Sequence, residues 1–286
     1  MKRRFITKIK DSQGTKYFLF GIPIWRKKRK EISRLRESVE QLLNQREYDF
    51  YRLYTAIQHM RTTDLYAQMH HPAVFEKYRE IHTGQDIVIV GAGPTLDDYT
   101  PIPGAIHIGV NRTYQCKKLQ LDYLFAQDGG PVTELKELTN YRKGKCRKFF
   151  GIHPIKEVTQ FSESFVKENE AERYYFINMN PKDSYLSLPL DLAHQPLACA
   201  YSVITCAFQF ALWCRPRRIY IVGCDCSSSG YFQGDSGVCK QYLPTNELQQ
   251  EWAWLADFAK RYYRDVEIIS INPVGLKGLF KDEVTK

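Results

Sequence analysis

The stretch Asp86-Ile-Val-Ile-Val-Gly-Ala-Gly-Pro-Thr-Leu96 constrains the fold more than any other part of the chain. Its apolar run has the length of a buried strand, its glycines make a turn, and Pro94 suits the first turn of a helix, where the missing N–H is not needed. A second strand, Ile106-His-Ile-Gly-Val-Asn111, follows closely. Strand, turn, helix start and strand in that order read as the opening crossover of a parallel sheet. The N–H groups at such a helix start lack partners, and the local dipole is positive, so phosphate is often held there. The dinucleotide fingerprint is not met. Leu96 stands where the third glycine belongs, and the second strand ends in Asn111 rather than in an acid. The turn points to a nucleotide other than NAD or FAD. The competing reading is a plain strand-to-helix turn.

From Asp86 onward strands and helices alternate, which predicts an α/β fold: a Rossmann-like, mainly parallel sheet with helices on both faces. Strands are expected at 86–90, 105–110, 121–126, 147–151, 173–177, 218–223 and 266–271. The clearest helices are 198–213, apolar nearly all round, and 245–263, with Leu248, Trp252, Leu255, Phe258 and Ala259 on one face. Residues 226–244 form a long loop, and loops of that length in compact domains usually carry function. No internal repeat is visible.

Upstream lies an N-terminal helical appendage. Residues 1–26 form a basic, aromatic leader, residues 27–82 a helical segment, and residues 83–286 the catalytic domain. Ile32, Leu35, Val39 and Leu42 recur at helical spacing over about two heptads. Pro72, after His70 and His71, predicts a break, with the two histidines in a loop rather than acting as ligands. Phe75 to Ile81 reads as a short helix. The chain carries a formal charge of +9. Eleven Lys and Arg between Lys2 and Lys30 crowd the leader, a patch suited to the anionic inner face of a membrane. No nucleic-acid-binding motif is present. The run Tyr17 to Trp25 is about half as long as a bilayer span, and reads either as an interfacial segment or as a small hairpin. The eight cysteines contain no C-x-x-C pair. Cys224, Cys226 and Cys239 match no standard zinc spacing, so no metal site and reduced, cytoplasmic thiols are expected.

Open α/β sheets bind ligands at the carboxyl ends of their strands. Reading those ends gives Gly91 and Gly93, Asn111, Asp128, His153, Asn178 and Asn180, Asp225, and Asn272-Pro273. So many polar groups at one edge exceed what turn chemistry requires. Gly91, Ala92, Gly93, Pro94 and Thr95 would hold a phosphate, and Asn111 can bond ribose or a base edge. Asp225 and Asp128 are the candidate acid or base groups. His153 is a weaker one, because His153-Pro154 also fits a simple turn, and His194 is a second histidine candidate. His107 reads as structural. Tyr231 and Tyr242 of the long loop are placed to close over a substrate. No Asp-x-Asp triplet, the usual diphosphate–metal anchor of nucleotide-sugar transferases, occurs in the chain. That favours metal-independent chemistry on a donor with a single phosphate.

Gly91-Ala-Gly-Pro-Thr-Leu96, Val110-Asn111-Arg112, Leu121-Asp-Tyr-Leu-Phe-Ala-Gln-Asp128 and Arg218-Ile-Tyr-Ile-Val-Gly-Cys-Asp225 together resemble the CMP-dependent bacterial lipooligosaccharide sialyltransferases. They also resemble the related hydroxymethylpterin pyrophosphokinase-like proteins. The resemblance spans roughly residues 84–275. The leader Lys16 to Ile24 is similar to the start of many surface-polysaccharide biosynthesis proteins. The resemblance implies a nucleotide donor at the first glycine turn, with further contacts from Ala200-Tyr-Ser-Val-Ile-Thr205, hence Ser202 and Thr205. The catalytic histidine that those transferases carry ahead of the last long helix has no counterpart in Val238 to Leu248. The expected activity is a glycosyltransferase using a nucleotide-activated sugar, with a CMP-sugar favoured, no cofactor, and a glycan or glycolipid acceptor. The expected place is the cytoplasm, peripherally at the inner membrane, with a homo-oligomer allowed. The alternatives are an ATP- and magnesium-dependent pyrophosphokinase and a non-catalytic nucleotide-binding scaffold.

Overall fold

A computed structural model describes residues 6–11, 14–19, 22–127, 132–153, 161–179, 188–227, 230–232 and 245–285. The chain divides into two compact units, Met1–His59 and Met60–Lys286. Residues 60–82, grouped above with the helical segment, belong to the second.

The first unit holds a small antiparallel sheet, β1 (Ile6–Asp11), β2 (Gly14–Leu19) and β3 (Ile22–Pro23), in that order. Ile6 pairs with Leu19, and Asp11 with Gly14. Of the two readings of the aromatic run, its residues 17–19 and 22–23 take the hairpin one. Helix α1 (Ile24–Phe75) follows without interruption and continues into the second unit. No helix among the described residues is long and apolar enough to cross a membrane.

The second unit is a doubly wound α/β domain. Its strands are β4 (Asp86–Val90), β5 (Ile106–Val110), β6 (Tyr123–Ala126), β7 (Arg147–Ile152), β8 (Glu172–Asn178), β9 (Leu197–Cys199), β10 (Arg218–Val222), β11 (Glu267–Ile271) and β12 (Lys281–Glu283). They form one nine-stranded sheet in the order β12-β11-β10-β4-β5-β6-β7-β8-β9, and every pairing is parallel. The central strands are buried on both faces, which is why their sequences run apolar instead of alternating. Ile87 and Ile89 join one core with α4 (Ile204–Trp213) and α5 (Thr245–Tyr262). Val88 and Val90 join the opposite core, with Leu138 of α2 (Val132–Asn140) and Val166 of α3 (Glu163–Glu168). The connection leaving β4 runs to one side of the sheet, and the one leaving β10 runs to the other. Since β4 and β10 are neighbours, the switch point lies between them.

Three expectations are corrected. Pro72 does not break α1, because the helix end is fixed from outside. His71 is fully buried and its Nδ1 faces the carbonyls of Leu192 and Gln195 at 3.0 and 2.9 Å. Its Nε2 accepts from the Tyr175 N–H at 2.8 Å. That set requires the neutral ring with the proton on Nδ1. Next, the apolar stretch from Ala198 does not begin as a helix. Leu197–Cys199 adds β9 to the sheet edge, and the buried Gln209 amide closes that edge by bonding both the N–H and the carbonyl of Ala198, at 3.0 and 2.7 Å. Finally, the helix expected at Phe75 to Ile81 is only a 3-10 turn, Glu76–Tyr78, followed by irregular turns.

Candidate active site

A cavity of about 330 Å³ opens at the carboxyl ends of the strands, at the switch point. Gly91 to Gly93 after β4 and Gly223 to Ser227 after β10 form one wall. Asn111, Gln127 and Asn178 come from the ends of β5, β6 and β8, and Cys199 to Ile204 from the β9–α4 turn. Leu248 and Trp252 of α5 and Tyr231 complete it.

The glycine turn does something other than expected. Both of its glycine amides are committed within the protein: Gly91 N–H donates to the Val222 carbonyl at 2.8 Å, and Gly93 N–H to the Gly223 carbonyl at 2.6 Å. The Thr95 N–H donates to Asp225 Oδ2 at 2.9 Å, and the Thr95 hydroxyl donates to Asp225 Oδ1. A carboxylate of the chain therefore sits where an anion would bind, and the following segment, Pro94–Asp98, is a 3-10 turn and not an α-helix. The glycines are needed for backbone approach between the β4 and β10 ends. A Cβ on Gly91 would lie 2.4 Å from the Gly223 carbonyl oxygen, and one on Gly93 would lie 2.5 Å from Asp225 Oδ2. Gly223 itself has a φ of +64°, which favours glycine. Gly91, Ala92 and Gly93 thus line the cavity without offering a bare phosphate cradle, and Pro94 and Thr95 are outside the lining.

Asp225 is almost fully buried, and burial pushes its carboxyl above the usual range, against the pull of its two bonds from Thr95. Asn111 begins a 3-10 turn with a φ of +43°, a left-handed conformation that asparagine adopts more easily than most residues. Its buried side-chain oxygen has no hydrogen-bond partner among the described residues. Ser202 lines the cavity, and its hydroxyl accepts from the Ile204 N–H at 3.2 Å. Thr205 does not reach the cavity: it is fully buried, and its hydroxyl donates to the Ser202 carbonyl at 2.9 Å. His153 follows β7 with its ring edge-on to Phe176, centroids 6.0 Å apart, and is not in the lining. His194 pairs with Asp191 on the surface at 3.0 Å, and His107 bonds Tyr99 and the Ala105 carbonyl as a structural group. Asn272 holds Thr285 and stands apart. Asp128, Asn180 and Tyr242 lie outside the described residues.

Two groups escaped the sequence reading. Gln127, at the end of β6, lines the cavity and accepts from the Cys199 thiol at 3.3 Å. Glu251 of α5 is fully buried between the lining residues Leu248 and Trp252, and neither carboxylate oxygen has a hydrogen-bond partner among the described residues. Burial pushes its carboxyl up to about 9. The Ser202 and Tyr201 amides draw it down, without a bond of full geometry. Its signal was legible: an acid three residues after Leu248, inside the apolar stripe of α5. Among the described residues no group of three His, Cys, Asp or Glu is arranged to hold a metal ion.

Compared with known proteins, the chain matches no family model and no curated protein.

Proposed function

We propose that the second unit is a glycosyltransferase whose cavity takes a nucleotide-activated sugar carrying a single phosphate, as a CMP-sugar does. The observation that carries this reading is Asn111, held in a left-handed conformation at a cavity on the switch point, with a buried side-chain oxygen that has no hydrogen-bond partner among the described residues. With Gln127 and Asn178 it makes three carboxamides at one rim, of which Gln127 is already bonded to the Cys199 and Cys206 thiols, and the group type matches what ribose hydroxyls and a base edge require. The phosphate is assigned to Ser202 of the β9–α4 turn, whose hydroxyl accepts from the Ile204 N–H and has its own proton to donate into the cavity. Glu251, neutral at pH 7, does not repel an anion there. No Lys or Arg among the described residues lines the cavity, which suits one phosphate better than the triphosphate of ATP.

In the transfer, the acceptor hydroxyl oxygen bonds to the anomeric carbon and the sugar–phosphate bond breaks. The bonding pair leaves on the nucleotide phosphate. Asp225, the carboxylate among the described lining residues, takes the hydroxyl proton, and Tyr231 helps to exclude water. A thermal-shift series tests the reading. CMP raising Tm without metal supports it. A shift that needs ATP together with magnesium, or none with any cytidine nucleotide, rejects it. Asp225→Asn should keep the CMP shift and lose transfer, and full activity in that variant removes Asp225 as base.

A further inference from the structure

Helix α1 is 52 residues long, several times the usual globular length. Helical patterns of this length are expected in membrane spans, helical repeats or coiled coils. The helix is not apolar enough for the first, and the chain shows no repeat. In the first unit seven of its exposed apolar side chains fall on one stripe, with Tyr48 and Tyr51 lying off it. Val39, Leu42, Leu43 and Arg46 hold the four seam positions of an eleven-residue repeat, and Phe50, Leu53 and Ile57 continue it at three-and-four spacing. Leu35 precedes them by four. All seven apolar side chains are exposed, Leu42 by 69% and Phe50 by 71%.

We infer that α1 forms a two-stranded coiled coil with a second copy of this chain through residues 35–57. Burying a Leu-sized side chain removes about 60–120 Å² of apolar surface from water. Seven such side chains on each of two copies give roughly 800–1,700 Å², whose upper half reaches the roughly 1,200–2,000 Å² of a stable interface. Charge fits the same partner. Arg46 is the charged member of the stripe, and Glu47 and Asp49 lie within one turn of it, so a second copy brings carboxylates to the level of each guanidinium. A single polar residue in such a seam sets register.

The test is the mass of the full-length protein by light scattering at about 10 µM, where micromolar association still shows. The wild type is expected at twice the chain mass of 33.5 kDa. Leu42→Glu/Phe50→Glu should bring it to the chain mass, with Kd raised by about 100-fold or more. Gln41→Glu, on the polar side, should leave the dimer intact. If the double variant loses its thermal transition, Leu42→Asn alone is read the same way. A monomeric wild type overturns the inference, as does a dimer that survives the seam substitutions. A monomeric wild type that sediments with phosphatidylglycerol vesicles, and loses this in the double variant, overturns it too by making the stripe a membrane face.

Discussion

Replacing Glu251 by Gln should make folding stability less sensitive to alkali. Glu251 is fully buried, and its folded-state carboxyl titrates at about 9 against an ordinary 4.5. A carboxyl raised in this way contributes stability that is complete below about pH 4.5 and is lost as pH climbs toward 9. Within that window the loss is about 1.4 kcal/mol per pH unit. Between pH 5 and pH 8 the wild type should therefore lose about 4 kcal/mol from this group alone. Glutamine keeps the shape but has no proton to lose. Any fixed cost of its amide, about 1–3 kcal/mol, is the same at both pH values and cancels in the difference. The assay is urea unfolding of wild type and Glu251→Gln at pH 5 and pH 8. The free-energy gap between them should shift in favour of the variant by about 4 kcal/mol over that interval. A gap that does not change with pH, or that shifts toward the wild type, would show Glu251 ionised in the native state and refute the reasoning.

Gly93→Ala should cost about 2–4 kcal/mol, because its Cβ would meet Asp225 Oδ2 at 2.5 Å and the Gly223 oxygen at 2.7 Å, and a lower Tm in the variant checks it. The contrast is Gly144, whose Cβ would meet nothing within 4 Å, leaving only the strain of its φ of +76°. His71, pushed down to about 4 chiefly by burial, contributes stability above its ordinary 6.5 that is lost as pH falls toward 4. In His71→Gln that portion of the acid sensitivity, about 3 kcal/mol, should disappear from unfolding curves taken at pH 7 and pH 4. Asn111→Ala should weaken CMP binding about 10-fold or more in calorimetry with Tm lowered little, and unchanged affinity would remove Asn111 from the site.

The seven strands expected from apolar runs all formed, within two residues of the expected ends, because a central parallel strand buried on both faces must be apolar along its whole length. The strands that escaped notice sit at the margins. β9 carries an apolar sequence that helix and strand share, and β12 is short, charged and exposed. What made Leu197–Cys199 a strand was an open edge of β8 and the amide of Gln209, neither of which leaves a mark in local periodicity.

At the site, composition and strand order were enough to bring Asn111, Asn178, Asp225 and the glycine turn to one rim, since the ends of parallel strands converge by topology alone, whereas Ser202 came only from the family resemblance. They were not enough to say which hydrogen-bonding groups remained available. The amides of Gly91, Gly93 and Thr95 are consumed by residues more than 120 positions away, on the strand that folds in beside them. A local motif fixes where a turn occurs. The neighbour that the sheet places against it decides whether its donors face a ligand or the protein itself.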